Sequence, residues 1–412
     1  MSARSPAGDG PGILYISYDG MLEPLGQSQV VAYLERLAPG RRIHLISFEK
    51  PRDRADEGRR QAMRERLAAA GIAWHPLRYH KAPSAPATAY DIALGTLTAI
   101  RLARRHRLGI VHARSYVPAL IGLAAKRATG SKLLFDMRGF WADERVDGGL
   151  WPASGRLYRA AKVIERKLLL AADHVVTLTH ASEAEIRRFG FLADRTPPIT
   201  VIPTCADLGR FSVQGPPRRD PFVLGYIGSV GTWYLLDEML QCFRLLRAEE
   251  PDARLLVVNR GEHALIRQRA MAAGVDAADI EILAADHGEM PGQIARMSAG
   301  MALIKPAYSK IASAPTKLAE YLGCGVPCLG NTKVGDMAEI LEGKRVGVAL
   351  EGFSPDEMRD GVHRLLAMAR EPGIQDRCRQ VALQLFSIEA GVAAYAGIYD
   401  GLAGHTQLTW VG

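Results

Sequence analysis

The sequence predicts an α/β protein made of two doubly wound, parallel-sheet domains, and three observations carry that prediction. Short β-branched or apolar runs alternate with helical segments, the alternation breaks once near the middle, and it then restarts for a second full course. Strand–helix–strand alternation implies parallel strands joined by right-handed crossovers. The runs are nearly continuous in apolar residues, as expected of strands whose sheet is covered by helices on both faces.

In chain order, residues 1–11 read as a loose tail with no apolar signal core. Residues 12–203 carry the first alternation, from "GILYISY" through "IHLISF", "IVHA", "KLLFDM" and "HVVTLT" to "ITVIP". Ser182 is a plausible N-cap and Gly190 a plausible C′ glycine within it. Residues 204–221, rich in Pro, Gly and Arg without helical or strand period, read as a flexible interdomain linker and hinge. Residues 222–385 repeat the alternation, and 386–412 form a helical segment free to cross back onto the first domain.

Composition narrows the class. A chain of 412 residues, 48% hydrophobic and 23% charged, fits two domains of about 200 residues each. No apolar run reaches the roughly 20 residues of a membrane span, so the expected location is the cytoplasm. Five scattered cysteines, none in a C-x-x-C pair, argue against a disulfide framework or a zinc site. The net charge of +8 is concentrated early: residues 36–66 hold ten Lys or Arg against five acids, and 101–107 add four arginines. Such stretches are either solvated helix faces or a cationic surface for an anionic membrane or substrate. No recognition motif accompanies them, so nucleic acid is not an expected partner.

Ligands of doubly wound sheets bind outside the carboxyl ends of the strands, which directs attention to three loops. The first, after "GILYISY", holds Gly26 and Gln27 at an expected helix start, where free N–H groups suit a phosphate or carboxylate; the bland alternative is a turn glycine with Ser28 as cap. The second holds Gly228, Ser229 and Gly231; its glycine spacing is not the dinucleotide fingerprint, which speaks against NAD. The third is "SAPTKLAEYLGCGVPCLG", residues 313–330, following a strand that leaves Lys305 at its end. Ser313 is the expected N-cap and Pro315 belongs in the first turn. Lys317 and Glu320, at i and i+3, share a face. The helix dipole and Lys317 suit a diphosphate, and Glu320 suits the hydroxyls of a ribose. An exposed ion pair of little energetic weight is the alternative.

The stretch "AEYLGCGVPCL" resembles the donor-binding helix of retaining GT-B glycosyltransferases, the large family with bacterial mannosyl- and N-acetylglucosaminyl-transferases. "ISYDGMLEPLGQSQVVAYLERL", "FDMRGFWADERVDGGLW", "VIPTCADLGRF" and "AADHGEMPGQIARMSAGMALIKP" extend the resemblance, in its polysaccharide-biosynthesis branch, over nearly the whole chain. It implies a GT-B fold and sugar transfer with retention from a UDP- or GDP-linked donor. No cofactor and no metal are implied. The implied acceptor is a glycan or lipid-linked saccharide, handled in cell-envelope or exopolysaccharide synthesis at the inner face of the membrane. Donor contacts are then expected from Gly26, Gln27, Gly228, Ser229, Lys305, Ser313, Pro315, Thr316, Lys317, Leu318 and Glu320. Catalytic roles are expected for Lys317, Arg138, Asp143 and His112.

Three departures from the family stand out. Its carboxylate pair is spaced E-x7-E, and here Glu320 matches the second position while the first falls on Ala312. Ser229 stands where the family has a diphosphate-binding arginine, and Arg138 where it has a histidine. A sugar-nucleotide epimerase of the same architecture and a non-catalytic partner subunit are the alternatives. The missing acid counts against the epimerase and, with Ser229, for the subunit.

Overall fold

Strand β1 (Gly12–Ser17) is buried along its whole length, because helices cover both sides of the sheet that it centres. The structure, a computed structural model, describes residues 12–213, 215 and 220–404. The expected tail, part of the expected linker and the last eight residues lie outside the described residues. β2 (Ile43–Glu49), β3 (Ile72–Arg78), β4 (Leu108–Arg114), β5 (Lys132–Asp136), β6 (His174–Thr177) and β7 (Ile199–Val201) complete a seven-stranded sheet, in the order β3-β2-β1-β4-β5-β6-β7. Every pairing is parallel, with β1 lying between Ile43 of β2 and Ile110 of β4 through Ile13.

The second sheet repeats the plan with six strands: β8 (Val223–Ile227), β9 (Arg254–Val258), β10 (Ile280–Leu283), β11 (Ala299–Met301), β12 (Cys328–Asn331) and β13 (Gly347–Leu350). Their order is β10-β9-β8-β11-β12-β13. The order in which strands are added therefore reverses between β1 and β4 in one domain and between β8 and β11 in the other, which opens a crevice at each carboxyl edge. The run "MALIKP" is not one strand as its composition suggested: β11 stops at Met301, and Ile304 instead bridges Tyr234 in an antiparallel contact.

The C-terminal helix Ile388–Leu402 leaves the second domain and packs on the first. Its Ile388, Tyr395, Ile398 and Tyr399 share a core with Ile13, Tyr33 and Leu34. Two hydroxyls fasten it there. Tyr395 Oη donates to Asp136 at 3.1 Å, and Tyr399 Oη lies 2.6 Å from His112 Nδ1. Tyr395→Phe with Tyr399→Phe strips two buried groups of partners and is expected to cost about 1–3 kcal/mol for each group left unpaired, read as a lower urea midpoint.

Three local expectations are corrected. The first half of the linker is packed rather than loose: Ala206 bridges Ser387, and the Arg379 guanidinium donates to the carbonyls of Leu208, Phe211 and Gly323. Thr179, not Ser182, caps helix His180–Arg187, since its side chain accepts from the Ser182 N–H. Gly190 opens a 3-10 turn instead of closing that helix. No helix among the described residues is long and apolar enough to cross a membrane.

Candidate active site

Between the two carboxyl edges lies a cavity of about 470 Å³, within the range of about 300–1,000 Å³ typical of ligand sites. Gln27 and Gln29 of the first domain form one wall, and Cys205–Asp207 with Arg210 form the floor. The second domain contributes Arg260 beyond β9, Asp286 and His287 beyond β10, and Thr316 and Glu320 from helix Thr316–Gly323. Gln29 is nearly sealed, gives its amide to the Cys205 carbonyl, and leaves its Oε1 without a partner beside the cavity.

The helix that bears Glu320 starts where Pro315 ends an extended turn, so Pro315 occupies the N-cap position. Ser313 does not cap it: no side chain does, and the Ser313 N–H turns back to the Lys310 carbonyl. Lys317 and Glu320 share a turn but make no ion pair among the described residues. Glu320 reaches the cavity with part of its surface open, and burial pushes its carboxyl up to about 7 against the opposing effect of Lys317. Lys317 turns inward and is only 7% exposed. Its Nζ donates to Tyr226 Oη at 3.0 Å and lies 3.7 Å from the ring centre of Tyr234. Burial lowers it to about 7, partly offset by Glu320. An ammonium over two aromatic faces is stabilised by their quadrupoles, but desolvation outweighs that here.

Lys317 acts on the cleft through the loop after β8. Tyr226, held by Lys317, donates its hydroxyl to the Ser229 carbonyl. Gly228 carries φ +115°, and a Cβ there would stand 3.3 Å from Lys317 Nζ. Only glycine lets the backbone pass over the lysine in this conformation. Glu262 completes the loop by accepting from the Val230 N–H at 3.0 Å. Gly228 and Ser229 remain exposed, above a lysine whose charge state is poised near neutrality.

Other expected residues lie elsewhere. Gly26 and Gln27 are not a helix start, because the helix already begins at Pro24 and the Gln27 N–H is bonded to the Glu23 carbonyl. Gln27 still lines the cavity; Gly26 is needed because a Cβ would meet the Gly20 carbonyl. Leu318 is buried in the second domain's core and cannot touch a ligand. Lys305 reaches across to the Asp147 carbonyl at 3.2 Å.

The expected catalytic side chains of the first domain are engaged with partners inside that domain or on the C-terminal helix. His112 is sealed by the C-terminal helix, and burial lowers its pKa. Asp143 is buried and satisfied by Lys162 at 2.9 Å and Tyr158 at 2.8 Å. Arg138, at φ +58°, stands 3.8 Å from Asp136, whose charge it helps to sustain against burial. Ala312, where the family carries an acid, is packed in the first domain's core as part of an interdomain wedge. Lys310 pairs with Glu144 at 2.9 Å beside it, and Asp336 caps the N–H groups of His180 and Ala181.

Sequence reasoning passed over Arg210, Arg260, His287 and the tyrosines that hold Lys317. Arg260 and His287 had a signal, since each follows the carboxyl end of a strand of the second sheet. The tyrosines had none, because their rings meet Lys317 only through tertiary packing.

Two facing parallel-sheet domains, with a cavity at the carboxyl edges and a helix start in its wall, define the GT-B class of glycosyltransferases. Residues 27–205 match the glycosyl transferase 4-like domain, and residues 221–368 match the glycosyl transferases group 1 family. The chain belongs to this group of glycosyltransferases. Among solved structures, it is similar to sucrose-phosphate synthase from Thermosynechococcus elongatus (TM-score 0.71, 14% identity, covering 96% of this chain and 100% of that one). It is also similar to HepE of Anabaena in complex with UDP-glucose (TM-score 0.63, 15% identity, 95% and 99%). A third is the lipopolysaccharide outer core galactosyltransferase WaaB (TM-score 0.65, 13% identity, 95% and 99%). At these identities the likeness is one of fold. No curated protein matches the chain in sequence.

Proposed function

We propose that the protein transfers a sugar from a UDP- or GDP-linked donor to a glycan or lipid-linked saccharide, with retention and without a metal. Its place would be the cytoplasmic face of the membrane, in envelope or exopolysaccharide synthesis. The observation that carries the donor half is the cavity lining that Thr316 and Glu320 share with Arg260 and His287. In this reading Glu320 accepts from ribose hydroxyls. The start of helix Thr316–Gly323 and the Gly228 loop face the diphosphate, and Arg260 with His287 borders the base. HepE holds UDP-glucose in its complex, which supports a nucleotide sugar as donor here.

The chemical need is to stabilise the departing diphosphate. Preorganised N–H groups and a lysine that gains its proton as the anion arrives meet that need without a metal. Among the described residues no group of three or more His, Cys, Asp or Glu could hold one. The test is a thermal-shift screen of UDP, GDP and their sugars, followed by nucleotide release with and without acceptor. Stabilisation by one nucleotide class, with release that depends on acceptor, is expected. Acceptor-independent turnover would point to the epimerase. Binding without release would point to the non-catalytic subunit, a reading that Ala312, packed as a wedge rather than carrying an acid, favours.

A further inference from the structure

The crossovers β3→β4, β4→β5 and β5→β6 all run in one direction along the first sheet, so right-handedness places their helices on one face. These are Ser84–His106, Tyr116–Thr129 and Arg156–Ala171, and the middle one packs against both others. They carry three, two and five Lys or Arg respectively. Their only carboxylates, Asp91 and Glu165, are buried and already engaged by Tyr18 and His80 and by Lys162 and Tyr116. The exposed face is therefore cationic without a compensating acid on any of its helices.

Apolar side chains stand out from the same face. Tyr90 (58% exposed) and Leu97 (69%) fall seven residues apart on the first helix, and Arg101 and Arg104 continue that stripe. Leu157 (60%) and Val163 (53%) are exposed on the third helix, with Arg156 next to the first and Arg159 one turn before the second. Arg101, Arg105, Arg127, Arg156, Arg159 and Lys167 make no ion pair among the described residues. The opposite face differs. The basic stretch 36–66, which has as many cations, is laced with pairs: Arg66 with Glu35, Arg60 with Glu57, Arg36 with Asp207 and Lys50 with Glu23.

We infer that this three-helix face is a docking surface for an anionic lipid bilayer. Exposed Leu, Val and Tyr interleaved with unpaired arginines suit the headgroup boundary, where apolar side chains sink in and guanidinium groups meet phosphates. A nucleic acid would use the charge but has no use for apolar side chains spread over two helices. The helices begin at the carboxyl edge of the sheet, the edge on which the cavity opens. A bilayer on this face therefore lies alongside the cleft, where a lipid-linked acceptor would be presented. Docking deepens the reading of the acceptor, but it is measured without donor or turnover, so either can fail alone.

The test is vesicle flotation of the full chain with phosphatidylcholine alone or with about one third phosphatidylglycerol. Binding is expected only to the anionic vesicles and is expected to be lost near 0.5 M salt, where the screening length falls to roughly 4 Å. Arg101→Glu/Arg105→Glu/Arg156→Glu/Arg159→Glu should lower the bound fraction at least about tenfold, and Leu97→Ser/Val163→Ser should lower it with the charge intact. Arg52→Glu/Arg64→Glu, on the opposite face, should bind as the parent does, and unchanged thermal midpoints show that the variants fold. Equal binding to both vesicle types, binding kept by the four-arginine variant, or tighter binding to a random RNA than to the vesicles overturns the inference.

Discussion

Glu320→Ala is expected to weaken nucleotide binding roughly 10- to 100-fold, the loss of about 1.5–3 kcal/mol that follows removal of a charged acceptor from two hydroxyl donors. Calorimetry with the nucleoside diphosphate reads it, and an unchanged Kd would remove Glu320 from the site. The environment also sets a pH dependence. Burial holds the carboxyl at about 7, so the charged acceptor fills in as pH rises through neutrality. The Glu320 contribution to affinity should grow between about pH 6 and 8 and be absent from Glu320→Gln. Folding stability moves the other way. A raised folded pKa means that this group's contribution is present below the free value of 4.5 and is lost as pH rises through about 7.

Lys317→Met should lower turnover at least about tenfold while the unfolding free energy does not fall, because methionine fits between Tyr226 and Tyr234 without a desolvated charge. Lys317 is lowered to about 7, so near neutral pH a large share of the molecules hold it uncharged. A diphosphate at the Gly228 loop raises it again, so Lys317 should take up protons on binding while Glu320 gives them up. Calorimetry in two buffers of different ionisation enthalpy reads the net change, which should shift towards release in Lys317→Met. For stability the sign is again set by the direction. A folded pKa below the free 10.5 leaves the unfolded chain with more protons, so stability from this group rises with pH between about 7 and 10.5. Lys317 and Glu320 together give their least support near neutrality, where an arriving nucleotide adds most. Equal losses of turnover and stability in Lys317→Met would make the lysine a structural residue only.

Much of the fold was legible in the sequence because strands buried on both faces must be apolar throughout, and that leaves a rhythm anyone can count. "GILYISY" and "IHLISF" could not be surface strands, and each became part of a parallel sheet. The GT-B class and the helix that carries Glu320 were legible through the same rhythm and the "AEYLGCGVPCL" resemblance. What was not legible depends on distance in sequence. Spacing puts Lys317 and Glu320 on one side of a helix, but it does not say that a long side chain bends beneath Gly228 to reach Tyr226. His112 ends a strand like a catalytic residue, yet its hydroxyl partner comes 287 residues later on a helix that closes it off. The basic residues misled in the same way. Counting favoured 36–66, whereas the pairs formed on folding leave the unpaired charge on the other face.

The central claim is that a sugar donor's nucleotide sits in the interdomain cavity with its ribose at Glu320 and its diphosphate between the start of helix Thr316–Gly323 and the Gly228 loop. A crystal structure with the nucleoside diphosphate that stabilises the protein best tests it most directly. The account predicts ribose hydroxyls within hydrogen-bond reach of Glu320 and phosphate oxygens over Gly228. Nucleotide bound elsewhere, or bound in the cavity with Glu320 turned away, would contradict it.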